Sequence, residues 1–133
     1  KKVTMELGSN SPLIVLPDAD IDKVVAATVQ SGYSNAGQVC ISTQRVIVDK
    51  SVYSDFLDAL APSVEALSTG DPMRETVNVG PMVRESDAAR VESWIQEAVG
   101  AGARLGAGGG SDGAVIGPEI LADVDRIKRL SRE

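Results

Sequence analysis

Apolar residues in the first third of the chain form short runs and one set at helical spacing. Val3-Thr4-Met5 predicts a short strand, and Leu13-Ile14-Val15-Leu16, a run bounded by prolines, predicts a strand covered on both faces. Asp18 or Asp20 can cap the helix that follows. The apolar positions of that helix are Ile21, Val24, Val25, Thr28, Val29 and Gly32. Arg45-Val46-Ile47-Val48 is the next predicted strand, which completes a strand–helix–strand unit.

Two further helices are predicted in the rest of the chain. Ser51 caps the first, which Pro62 kinks or splits, and the second runs over 86–99 and ends at glycines. Their inward positions are Val52, Phe56, Leu60, Val64 and Leu67, then Ala88, Val91, Ile95 and Ala98. A turn-rich connection over 69–81 separates them, and strands at 104–105 and 119–124 flank a glycine-rich loop. This order predicts a single α/β domain with an open, mostly parallel sheet and flanking helices.

Charge and composition narrow the classes of partner. At pH 7 the 133 residues carry a net charge of −6, which disfavours a nucleic-acid backbone or an anionic membrane as partner. No apolar run approaches the ~20 residues that a membrane-spanning helix needs, and no secretory signal is recognisable. The one cysteine cannot form an internal disulfide, and the absence of histidine excludes Cys–His catalysis and histidine metal sites. We therefore expect a cytoplasmic protein without a metal site.

Two short motifs imitate binding sites. Gly108, Gly110 and Gly113 match the glycine spacing of a dinucleotide-binding loop, but an extended, proline-stopped segment follows where a helix should open. The three aspartates at 18, 20 and 22 imitate the start of a calcium loop, but Lys23 stands where a glycine is required. A surface loop and a helix cap are the better interpretations.

Cys40 and Glu6 are the candidate chemical groups. A thiolate attacks an electrophilic carbon, and a carboxylate can later activate water to release the product. A single cysteine is more often a small buried apolar residue, and an acid at the end of a strand is more often solvated. Cys40, however, lies in the link between the first helix and the next strand, where open-sheet enzymes hold reacting groups.

Two motifs carry a family resemblance. Glu6-Leu7-Gly8-x-Asn10-Ser11-Pro12, followed by Asn35-x-Gly37-Gln38-x-Cys40-x-x-x-x-Arg45, resembles the glutamate and cysteine motifs of NAD(P)-dependent aldehyde dehydrogenases. One position departs from that family, because Ser9 stands where a second glycine is usual. If that position needs a positive φ, the serine carries strain.

The resemblance implies a complete set of roles. Cys40 would be the nucleophile and Glu6 the general base, while Leu7 and Gly8 would lie against the cofactor and Val39 and Ile41 would line the substrate pocket. The substrate would be a small aldehyde, which is oxidised to a carboxylic acid through a thiohemiacetal and a thioester. The cofactor would be NAD or NADP, and the parent enzyme a homo-oligomer.

The resemblance also implies that the chain is an internal piece. Residues 1–133 would form part of the catalytic domain, without the Rossmann domain that binds most of the cofactor, and this piece alone would not turn over substrate. Two alternatives stay open. One is a non-catalytic remnant that acts by association, and the other is a redox sensor that uses Cys40 alone.

Overall fold

The computed structural model describes residues 1–5 and 7–124. The elements within them, in chain order, are β1 (Ser11–Val15), α1 (Ile21–Tyr33), β2 (Thr43–Val48), α2 (Tyr53–Glu65), α3 (Glu85–Gly100), β3 (Arg104–Ala107), β4 (Ser111–Asp112), β5 (Val115–Ile116) and β6 (Ile120–Ala122). The described strands pair as β1–β2, β3–β6 and β4–β5. The first pair is parallel and the other two are antiparallel.

The predicted strand–helix–strand unit is present. β1 and β2 pair in parallel, with Leu13 opposite Val46 and Val15 opposite Val48, and α1 makes the connection between them. Asp20 caps α1, since its carboxylate accepts a hydrogen bond from the Lys23 amide at 3.2 Å. The helix and parallel pair confirm the α/β class.

Two expectations for the first strands were wrong. Residues 3–5 form no strand and are exposed. The strand at 13–16 is not covered on both faces, because Val15 is buried whereas the neighbouring Ile14 is 65% exposed. Successive side chains of a strand point to opposite faces, and within the described residues only one face of β1 packs against the core.

The core lies between the α1 and α2 helices and the β3–β6 pair. Its buried members are Val25, Phe56, Leu60, Val64, Ala107 and Ile120. Phe56 and Val64 are almost wholly shielded from solvent, as the helical spacing predicted. Truncation of such a side chain to alanine typically costs about 3–5 kcal/mol for phenylalanine. This core supports α1 and thereby the link that follows it.

The structure of the second half of the chain differs from the prediction in three details. The α2 helix runs through Pro62 without being split, although proline has no N–H to donate to the preceding turn. The N-cap residue of α2 is Val52 rather than Ser51. Ser51 instead donates its amide and hydroxyl to the Asp49 carboxylate. The β4–β5 hairpin lies inside the glycine-rich loop, where only loop was predicted.

That glycine-rich loop has a structural explanation. Gly108 has φ +81°, and a Cβ atom there would lie 1.7 Å from the carbonyl oxygen of Pro118. Glycine is therefore required for the close approach of two backbone segments. No helix opens after Gly113, because the chain enters the short strand β5. The surface-loop interpretation is thus consistent with the local fold.

Two features are absent from the described residues. None of their helices is both long enough and apolar enough to cross a membrane. The same residues bring together no group of three or more histidine, cysteine, aspartate or glutamate side chains suited to a metal ion.

Candidate functional site

A left-handed turn carries the chain from α1 to Cys40. Asn35, Ala36 and Gly37 have φ values of 53°, 55° and 73°, a conformation that glycine and asparagine adopt most readily. Gln38 closes the turn, since its backbone amide and its side-chain Nε2 both donate to the Asn35 carbonyl at 3.1 Å. Asn35 Nδ2 donates in return to the Gln38 carbonyl at 3.2 Å. This reciprocal bonding fixes the backbone immediately before the thiol.

Gln38 also joins this turn to the connection before α3. Its Oε1 accepts from the Val83 amide at 3.0 Å, and its Nε2 lies 3.5 Å from the Pro81 carbonyl. One carboxamide therefore bonds to the backbone of two segments that are far apart in sequence. This agrees with a role for Gln38 in ordering the loop.

Ser42 anchors the backbone on the other side of the thiol. It is buried, and its hydroxyl lies within hydrogen-bonding distance of the carbonyls of Ser31 and Gly32, at 3.1 and 3.3 Å. Its amide donates to the Val39 carbonyl at 2.9 Å, which closes a tight turn around Cys40. The thiol thus lies on a short loop held at both ends by α1 and its C-terminal turn.

The segment before β1 lies across from this loop. The Ser9 hydroxyl donates to the Cys40 carbonyl and lies 2.8 Å from the Ser11 hydroxyl. Arg45 Nη2 donates to the Asn10 carbonyl at 3.2 Å, so β2 also holds this segment. Ser9 is not among the residues with positive φ, so its replacement of the usual glycine carries no left-handed strain.

The two segments enclose a cleft of about 290 Å³. Its lining consists of Leu7, Gly8, Ser9, Gly37, Gln38, Val39, Cys40 and Gln44. Of the predicted site residues, Leu7, Gly8, Val39 and Cys40 therefore come together, and Cys40 is exposed. Sequence reasoning gave no role in this cleft to Ser9 or Gln44, since neither residue type marks chemistry by itself.

Two predicted site residues stand apart from this cleft lining. Ile41 is 77% exposed and is not one of the lining residues, so its role in a substrate pocket stays a prediction. Glu6 lies outside the described residues, although its neighbour Leu7 lines the cleft with Cys40. The proximity of Glu6 to the thiol therefore also stays a prediction.

A larger groove of about 400 Å³ lies between α1 and α2. Its lining includes Val25, Val29, Ala59 and Ser63, and does not include Cys40. Its lining is largely apolar helix surface, with one aspartate, Asp22. The smaller cleft is the stronger candidate because it contains a nucleophile.

The aldehyde dehydrogenase family model matches residues 1–133, the whole chain. The chain belongs to this family. It is 44% identical over 133 residues to the 3-sulfolactaldehyde dehydrogenase of Priestia aryabhattai, and it covers 28% of that relative. The chain therefore spans a little more than a quarter of the length of this curated aldehyde dehydrogenase.

Solved aldehyde dehydrogenase structures share the fold. The glyceraldehyde-3-phosphate dehydrogenase of Methanocaldococcus jannaschii, solved with NADP, has a TM-score of 0.90 and 38% identity, over 94% of this chain and 27% of its own. Aldehyde dehydrogenase C of Pseudomonas syringae also has a TM-score of 0.90, with 32% identity over 100% of this chain and 29% of its own. That structure is of a cysteine-to-alanine mutant with NAD+ and octanal.

Proposed function

We propose that the protein oxidises a small aldehyde to a carboxylic acid with NAD(P)+, and that Cys40 is the nucleophile. The observation that carries the proposal is the position of an exposed thiol in the cleft between the Leu7–Ser9 segment and the Gly37–Cys40 loop. Membership of the aldehyde dehydrogenase family over the whole chain supports the reaction class.

Cys40 acts first in the proposed reaction. Its thiolate adds to the aldehyde carbon, which forms a C–S bond and a thiohemiacetal oxyanion. The backbone amide of Cys40 is placed on the same loop and can donate to that oxyanion. The reciprocal bonds between Asn35 and Gln38 restrain this loop, so the amide needs little reorganisation during attack.

The cofactor has a suitable surface beside the thiol. A Cβ atom at Gly8 would meet nothing within 4 Å, so there is open space beside the Gly8 backbone on the cleft wall. Leu7 and Gly8 would lie against the nicotinamide, and the chemistry that this group would supply when bound is acceptance of the hydride from the thiohemiacetal carbon, which leaves a thioester. Structural relatives that contain NADP or NAD+ support this class of cofactor.

Glu6 acts last in the proposed reaction. Its carboxylate takes a proton from water, the water oxygen bonds to the thioester carbon, and the C–S bond breaks to return the thiolate. This role requires the Glu6 carboxylate to lie roughly 4–8 Å from the Cys40 sulfur, with one water between them. The position of Leu7 in the cleft supports that expectation.

Rapid mixing of aldehyde and NAD(P)+ with the protein as the gene encodes it tests both roles. NADH or NADPH absorbance gives the pre-steady-state burst and the steady-state rate. Cys40→Ala should abolish both. Glu6→Gln should keep the burst and lower the steady-state rate by about 10²-fold or more, because it removes the base needed for hydrolysis.

Glu75→Gln is the matched control, because Glu75 is an exposed acid in the connection between α2 and α3. It should leave both phases unchanged. Full aldehyde oxidation by Cys40→Ala would refute the proposed nucleophile. An unchanged steady-state rate in Glu6→Gln would remove Glu6 from the mechanism without affecting the role of Cys40.

A further inference from the structure

A side chain joins the two walls of the cleft directly at the nucleophile. The Ser9 hydroxyl, on the wall formed by residues 7–9, donates to the carbonyl of Cys40, on the opposite wall. Ser9 Oγ also lies 2.8 Å from Ser11 Oγ, at the start of β1. The bond therefore connects the thiol loop to the parallel β1–β2 pair.

This bond acts on the Cys40 carbonyl itself, whereas the other bonds described for this loop act on its neighbours. Gln38 restrains the backbone before the thiol, and the Ser42 amide bonds to the Val39 carbonyl. The Cys40 carbonyl belongs to the peptide that links Cys40 to Ile41, so a hydrogen bond to it restrains the ψ angle of Cys40. Because the Cα–Cβ bond turns with the backbone, the same bond restrains the direction of the Cα–Cβ bond that carries the thiol.

Neither the backbone conformation nor core packing requires a serine at position 9. The backbone at Ser9 does not have a positive φ, so the position does not require glycine. Ser9 is also exposed, so its side chain fills no part of the core. What the serine adds over glycine or alanine is its hydroxyl, which donates to the Cys40 carbonyl and lies 2.8 Å from Ser11 Oγ.

We propose that Ser9 is a positioning residue that orients the Cys40 thiol through the Cys40 carbonyl. The proposal rests on Cys40 as the nucleophile for its effect on catalysis, but the bond itself can be measured without any reaction. A net hydrogen bond of ordinary strength predicts roughly a three- to tenfold change in the opening of the loop.

Hydrogen–deuterium exchange of the protein as the gene encodes it measures that opening in peptides that cover residues 37–43. Ser9→Ala and Ser9→Gly should each speed exchange of the Ser42 amide by roughly three- to tenfold, because the turn it closes loses a restraint. Ser9→Thr keeps a hydroxyl and should restore slow exchange. Ser11→Ala removes the neighbouring hydroxyl and leaves the bond to Cys40, so it is the matched control.

Kinetics supply the second readout. Ser9→Ala should lower the rate constant of the NAD(P)H burst by roughly three- to tenfold, with the KM for the cofactor unchanged, and Ser9→Thr should recover it. Unchanged exchange in Ser9→Ala, equal acceleration in Ser11→Ala, or failure of Ser9→Thr to restore either readout would each overturn the proposal. If Cys40→Ala retains full activity, the proposed function fails, whereas faster exchange in Ser9→Ala still establishes the contact.

Discussion

The carboxylate of Glu119, just before β6, is partly buried with a like charge nearby. Burial, and then the charge of Glu92, raise the pKa of Glu119 from its ordinary value of 4.5. Among the described residues, Glu119 Oε2 is buried without a hydrogen-bond partner. The backbone carbonyl of the same residue accepts from the Tyr33 hydroxyl at 2.9 Å, and burial together with the Glu119 charge raises the pKa of Tyr33 to about 12.

The raised pKa of Glu119 fixes the sign of a pH effect. A carboxyl whose pKa is higher in the folded state contributes its full stability below the unfolded-state pKa, and this contribution is lost as pH rises through the folded pKa. Glu119→Gln should therefore melt at a higher temperature than the wild type at pH 7, and the difference should shrink toward pH 4. Thermal melts at both pH values measure it.

Glu97→Gln on the exposed side of α3 is the control for Glu119→Gln. The change in melting temperature of Glu119→Gln is compared with that of Glu97→Gln at each pH. A Glu119→Gln variant that is less stable at pH 7 than at pH 4, relative to the wild type, would contradict the expected sign.

At the scale of elements, the left-handed turn at 35–37 determines where the thiol loop begins. Gly37 has φ +73°, and a Cβ atom there would lie 3.3 Å from the Gly32 carbonyl oxygen. Gly37→Ala should lower the free energy of unfolding by about 1–2 kcal/mol, because alanine is strained in this conformation. It should also slow the reaction of Cys40, since the loop is displaced.

Gly100→Ala is the matched comparison for this prediction. Gly100 ends α3, its φ is not positive, and a Cβ atom there would meet nothing within 4 Å. Alanine at this position should raise the free energy of unfolding by about 0.5 kcal/mol. Urea unfolding of both variants checks the contrast. Equal effects of the two substitutions would show that the left-handed backbone at Gly37 carries no particular cost.

Apolar residues at helical spacing predicted the buried face of α2 correctly, because such residues lie on one side of a helix. Phe56, Leu60 and Val64 follow that spacing and are buried on α2. The strand predicted at residues 3–5 is absent, because a short apolar run does not indicate whether a neighbouring strand is available to pair with it. The same limit applies to β1, where the run 13–16 predicted burial on both faces and Ile14 is exposed.

Only the cleft residues that belong to the two motifs could be predicted from the sequence. The two motifs place Leu7, Gly8, Val39 and Cys40, and the cleft brings these four residues together. The bond from Ser9 to Cys40 could not be predicted, because it depends on the distance between two loops that are far apart in sequence. The left-handed conformation of Ala36 could not be predicted either, since alanine rarely adopts it.

At the scale of the whole molecule, one face of the β1–β2 pair presents apolar side chains to solvent. Ile14 lies opposite Ile47 in the parallel register, so both side chains are on the same face. They are 65% and 44% exposed. On the other face, Val15 is buried, and its register partner Val48 packs against the core. Within residues 1–5 and 7–124, this face is therefore an apolar surface on a sheet of two strands, and the outer edges of such a sheet can also accept a strand.

We expect the 133-residue chain, expressed alone, to self-associate through this face of the β1–β2 pair. Contact between two copies removes this apolar surface from water, which favours association. The fraction of associated chain should increase with protein concentration, as mass action requires. Sedimentation velocity across a concentration series measures it. Ile47→Lys should shift the distribution toward monomer because it places a charge at the contact. Met73→Lys, at a side chain 88% exposed in the connection between α2 and α3, should leave it unchanged. A strictly monomeric chain whose melting temperature does not depend on concentration would contradict the prediction, because the apolar face would then stay exposed to water without driving association.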